Sequence, residues 1–249
     1  MNNTKAVFLK QFTSMVKVPS LIVQGILFLI IAAVFMFFIS EDEERDCNAC
    51  IPAYVCEICE EEAQSRFELP IPSVVGVFTV IFIGLAMVGS ASALVQEDKT
   101  TKNLRFMAMA DVTPYQYLLG TATAMIIIVS IILVFYALVG GYLFTDTFWF
   151  MVIGIAGGIV SILLGIVIGL SKVPILAAPI SLILGLAPTL SGMNETLANM
   201  LRFTYIQQVN IAIAEMDGDL TSNFLIIGAN GVVVLLLFVL IHRKNKFNL

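Results

Sequence analysis

Four cysteines stand as Cys47-x-x-Cys50-x5-Cys56-x-x-Cys59, the densest group of chemically able side chains in the sequence. Two Cys-x-x-Cys pairs can offer four thiolates to a tetrahedral zinc ion. The spacer between the pairs is only five residues, shorter than the ~15–20 usual in that arrangement, which counts against a metal. The same thiols can close two disulfides or stay free, and spacing fixes no pairing. Acids flank them as Glu41-Asp-Glu-Glu44 and Glu60-Glu-Glu62. Such a field concentrates cations, a basic peptide for example; it is also the make-up of a plain solvated loop. No Gly-x-x-x-x-Gly-Lys-Ser/Thr run occurs anywhere, so a phosphate-cradling loop for ATP is not expected. No catalytic residue, resident cofactor or metal ligand is assigned.

The elements that hold these side chains are membrane spans. Six long apolar stretches run at about 20–40, 71–95, 116–141, 148–170, 173–193 and 222–242. The charges outside them sort by sign. One set of connecting segments (the N-terminus, 96–115, 171–172 and the C-terminal tail) holds ten Lys/Arg and three acids, and the other holds three Lys/Arg and fifteen acids. A bilayer explains this, since a charge at its centre costs about 2.5–3.5 kcal/mol even on the mildest scale. The Lys/Arg excess makes the first set cytoplasmic. The expectation is an all-α polytopic membrane protein with six transmembrane helices and both termini inside. It reads as a single transmembrane domain over 1–249 in the plasma or inner membrane. A composition 59% hydrophobic and 12% charged agrees, and nothing in the charge distribution points to nucleic acid. The cysteine loop then faces outward, where thiols tend to oxidise. Two disulfides among Cys47, Cys50, Cys56 and Cys59 are expected there, with metal and free thiols still open.

Between the spans, residues 1–19 place Phe8, Phe12, Met15 and Val16 at helical spacing, as in an interfacial helix; an unstructured basic leader is the alternative. Residues 41–70 form the outer acidic, cysteine-bearing loop. In 194–221, Leu197, Leu201, Tyr205 and Val209 recur every four residues, predicting an interfacial helix on the outer side. Inside, Thr100 or Thr101 is placed to cap a short helix through Ala110. Thr113, Pro114 and Gln116 then start the next helix with a capping box. The short helix shows apolar Leu104, Phe106, Met107 and Met109, a knob that needs lipid or a protein partner to cover it. No ionisable group sits well inside a span, which disfavours ion-coupled carriers. Gln24 and Asn230 are the amides deep in spans, fit to bond a neighbouring helix or to line a pathway. Pro179 and Pro188 should bend span five.

The inner loop also carries a resemblance. Glu97 follows span two, then come the Leu104–Met109 helix, Val112-Thr113-Pro114 and Tyr117-Leu118-Leu119-Gly120. This layout resembles the membrane subunits of ABC transporters of the type-2 exporter permease family. Asp111 stands where that family commonly has Pro, Lys102 where it has Gly, and Thr121 where it has Lys. The resemblance implies a non-enzymatic permease subunit that exports a hydrophobic or amphipathic substrate (peptide, lipid or drug). ATP and Mg would be bound by a separate cytoplasmic ABC ATPase. It further implies a second permease subunit, identical or homologous. The 96–115 loop would be the coupling loop, with Glu97, Leu104, Arg105, Phe106, Met107 and Met109 docking the ATPase. Ser90 and Ser92 in span two and Pro179 and Pro188 in span five are pathway candidates, although small residues also mark tight helix packing. A non-transporting scaffold or sensor that recruits a cytoplasmic partner through the same loop is the alternative.

Overall fold

A computed structural model describes residues 3–17, 20–47, 71–171, 173–191, 195–216, 218 and 220–245. The described residues are helical, with no strand among them. Helix α1 spans Asn3–Lys17 and α2 spans Ser20–Cys47; α3 (Ile71–Ile81) runs through a π-helical turn, Phe82–Met87, into α4 (Val88–Thr100). Then follow α5 (Asn103–Met109), α6 (Pro114–Val139) and α7 (Phe144–Leu170). A 3-10 turn, Pro174–Leu176, leads into α8 (Ala177–Ser191), and α9 (Glu195–Leu201), α10 (Tyr205–Ala214) and α11 (Thr221–Asn245) complete the chain.

Four helical segments are long and apolar enough to cross a membrane: Val74–Thr100, Pro114–Val139, Phe144–Leu170 and Thr221–Ile241. A fifth candidate is the pair Thr4–Met15 and Ser20–Phe35, bent by 52°. Of the six expected spans, four or five candidates thus stand among the described residues. The shortfall lies in the stretch 173–193. There Pro174 begins a 3-10 turn, and α8 has only 15 residues, about 22 Å of rise against a core of ~30 Å. Hydropathy alone counted the turn and the helix as one span.

Glycines set how closely the helices meet. A Cβ added at Gly165 would lie 2.5 Å from the Val88 carbonyl oxygen and 2.7 Å from the Ala91 Cβ. One at Gly169 would lie 2.8 Å from the Val95 Cβ. This Gly-xxx-Gly spacing on α7 lets α4 lie against its backbone. Across the bundle, a Cβ at Gly84 in the π turn would meet the Leu184 carbonyl oxygen of α8 at 2.6 Å. The wide turn thus presses bare backbone on bare backbone. The core that results joins Phe82, Ile83, Met87, Met125, Leu133, Tyr136, Phe150 and Ile206, all fully buried.

Two helices expected at the membrane surface pack against the bundle. The helix α1 exists, but Val7, Gln11 and Met15 form its buried face, and it packs along α6, where Gly120 leaves room for Val7. The expected outer interfacial helix is broken into α9 and α10. Of its stripe, Tyr205 and Val209 are buried while Leu197 and Leu201 are half-buried. Helix α10 is wedged among α3, α7, α8 and α11. The Tyr205 hydroxyl and Ser161 share a 2.9 Å hydrogen bond, and the Gln207 Oε1 accepts from Ser191 at 3.0 Å. Buried amides need such partners, and here they sit between helices. The acidic and cysteine readings at 48–70 lie outside the described residues, as do the side chains of Glu41–Glu44 and of Cys47 at the end of α2.

Candidate coupling site at the α4–α5–α6 junction

One carboxylate organises the junction. Asp98, near the end of α4, is 4% exposed. The Lys10 Nζ of α1 donates to its Oδ1 at 2.6 Å, and the Gln11 Nε2 of α1 donates to its Oδ2 at 2.6 Å. From α5 the Asn103 Nδ2 donates at 3.2 Å, and from α6 the Tyr117 hydroxyl donates at 3.0 Å. A buried carboxylate is tolerable only when its lone pairs are filled in this way. Each charge-assisted bond contributes about 1.5–3 kcal/mol in such settings. Four helices are thereby tied at one point. The tie is incomplete in one respect: the Gln11 Oε1 is buried with no hydrogen-bond partner among the described residues.

The neighbouring residues build the stage for α5. Lys99 Nζ donates to the carbonyl oxygens of Gly169 at 2.7 Å and Ser171 at 3.0 Å. It supplies cationic partners to the open end of α7. Thr100 and Thr101 do not cap α5 as expected. Their hydroxyls turn back to the Glu97 carbonyl, at 2.9 and 2.7 Å, because the chain ends α4 before it can begin a new helix. Lys102 then takes φ 58°, and its N–H bonds the Lys99 carbonyl at 3.1 Å, closing α4 with a left-handed residue. Asp111 does the same for α5, with φ 54° and a Val112 N–H to Met107 carbonyl bond of 3.0 Å. For residues bearing a Cβ this conformation costs roughly 1–2 kcal/mol, which explains why glycine would be at ease at position 102. The expected capping box does form: Thr113 accepts from the Gln116 N–H at 3.3 Å, and the Gln116 Oε1 accepts from the Thr113 N–H at 2.9 Å.

The residues singled out for docking separate into two groups. Leu104 is 3% exposed and belongs to the core, so it anchors α5 and presents nothing outward. Met107 is half-buried against that core. Phe106 and Met109 are 62% and 66% exposed, and Arg105 is exposed beside them. Glu97 is exposed too. It lines a cavity of about 200 Å³ between α1, α2, α4 and α6, together with Ser90.

The pathway candidates stand in α4 and α8. The Ser90 hydroxyl donates to the Gln24 Oε1 at 3.2 Å, tying α4 to α2. Ser92 is fully buried, accepts from the Gln96 Nε2 at 3.1 Å and lies where Gly169 packs. Pro179 is exposed in the first turn of α8, where a missing N–H costs no helical bond. Pro188 is buried inside α8, and its carbonyl accepts from the Ser191 hydroxyl at 2.6 Å. The second deep amide, Asn230, donates to the Phe203 carbonyl at 2.9 Å. Both deep amides therefore bond neighbouring segments.

No family model, no curated protein and no solved structure matches the chain.

Asp98 was hidden by its neighbour Glu97, but a signal was there. Ala91, Val95 and Asp98 share a helical face at spacings of four and three, and that face is buried throughout. An acid continuing a buried apolar stripe must find partners.

Proposed function

We propose that this chain is the membrane-spanning permease subunit of an ATP-driven ABC exporter. In this reading a separate cytoplasmic ATPase binds ATP and Mg, grips α5 and works with two permease subunits. The 96–115 segment faces the cytosol, with both termini on the same side. What supports the reading most is α5 itself, a seven-residue helix. It is held from beneath by Leu104 and the Asp98 tie, and it is bare above at Phe106 and Met109. A push on that knob has a stiff route into α4 and α6, because Asp98 bonds both α5 and α6. Substrate would be hydrophobic or amphipathic, in keeping with the apolar walls of the bundle.

The experiment is co-purification of the full chain with its ATPase. Phe106→Asp combined with Met109→Asp is expected to cut recovery of the ATPase at least tenfold, since two apolar anchors are lost and two charges must be desolvated. Undiminished recovery would refute the docking assignment. A partner that is retained by the wild-type chain but shows no transport-linked ATP hydrolysis would favour the non-transporting scaffold.

A further inference from the structure

At the opposite end of the bundle from α5, a cavity of about 480 Å³ opens between the starts of α7 and α11. That is within the ~300–1,000 Å³ typical of small-molecule sites. Asp146 and Trp149 line it from α7, and Thr221 and Phe224 line it from α11. Each pair is spaced i, i+3, so each stands on one helix face. Leu220, nearly buried, contributes to the lining between them. Helices α7 and α11 pack along each other, and Phe224 leans on the main core, so the walls are preset. Trp149 remains 38% exposed. Asp146 has no cation partner among the described residues.

A carboxylate and two aromatic side chains lining one cavity offer the chemistry that selects an organic ammonium group. The rings attract a cation through their quadrupoles, while methyl groups on nitrogen fill an apolar wall. Among the described lining residues there is one carboxylate, with hydroxyls, fewer oxygen ligands than a simple metal ion takes, and an anion would be repelled by Asp146.

We infer that this cavity binds an organic ammonium group, methylated nitrogen best, with Asp146 as counter-ion and Trp149 and Phe224 as walls. The group belongs either to a phospholipid headgroup or to a soluble ammonium compound. The inference needs neither the ATPase nor the assigned orientation, so it stands or falls apart from the proposed function.

Trp149 is the chain's single tryptophan and lines the cavity, so its emission is the readout. The full chain in phosphatidylglycerol nanodiscs would be titrated with choline and with 3,3-dimethyl-1-butanol, its uncharged carbon isostere. The expected result is a saturable change with choline and an apparent affinity at least tenfold weaker for the alcohol. Asp146→Asn should weaken choline at least tenfold, and Phe224→Leu should weaken it severalfold, with the fold unchanged by circular dichroism. Discs doped with phosphatidylcholine separate the sources. If the doped lipid shifts the emission and abolishes the choline response in wild type, the headgroup is the occupant; if it does neither, a soluble ammonium compound is. Equal responses to choline and the alcohol, no response to choline, or an unchanged titration in Asp146→Asn would each overturn the assignment.

Discussion

Asp98→Ala is expected to release α1 from the bundle and to lower thermal stability in detergent by about 3 kcal/mol, the low end for breaking a buried ion pair. The low end applies because the Lys10 side chain is 37% exposed and can reach water once its partner is gone. Gln11 and Tyr117 are the more costly remnants, since both are buried donors aimed at the vacated space. Proteolysis should follow, with new cleavage within 3–17 that the wild type resists. Joint replacement, Asp98→Leu with Lys10→Met, should recover part of the loss, because matched apolar groups remove the charges rather than orphan them. An unchanged melting curve and an unchanged digestion pattern in Asp98→Ala would mean that the four-helix tie holds nothing. In the proposed exporter, the same substitution should leave ATPase docking through Phe106 intact while uncoupling hydrolysis from transport.

Gly165→Ala is the second large effect. The added methyl would lie 2.5 Å from a backbone oxygen of α4, and backbone cannot swing aside as a side chain does. Helices α4 and α7 must separate, with an overpacking cost of about 1–3 kcal/mol. The matched control is Gly228→Ala on α11, where no atom lies within 4 Å of the added carbon. There alanine should stabilise by up to about 1 kcal/mol through helix propensity. Opposite shifts in melting temperature are the expected outcome. Equal shifts for the two variants would show that the α4–α7 contact is looser than drawn.

Much of this architecture was written in plain view along the chain, and particular residues show where legibility stopped. The long apolar stretches around α6, α7 and α11 are helices of the expected extent, because twenty or more apolar residues without a breaker leave few alternatives. Thr113-Pro114 with Gln116 announced its capping box because all three groups act locally. Pro188 was correctly placed inside a helix, whereas Pro179 was not: helix start depends on where the 3-10 turn ends, which hydropathy does not encode. The periodicity of Leu197, Leu201, Tyr205 and Val209 was real but described two helices with a bend at 202–204, since a four-residue recurrence survives a turn that happens to return in register. The buried tie at Asp98 depends on α1 folding against α6, a contact between residues far apart in sequence. Local pattern reading had no access to that contact, although the Ala91–Val95–Asp98 face hinted that the acid needed partners.

The π-helical turn at Phe82–Met87 has a consequence for how this span tolerates loss. In an ordinary helix, deleting one residue turns everything beyond it by about 100°, which here would swing Asp98 off Lys10, Gln11 and Tyr117. A π turn carries one surplus residue within an otherwise α-helical run. Excising a single residue there lets the turn tighten while Val75 and Thr79 before it, and Ala91 and Asp98 after it, keep their phase. A deletion scan from 74 to 100 should accordingly read as a row of failures interrupted by one permissive gap.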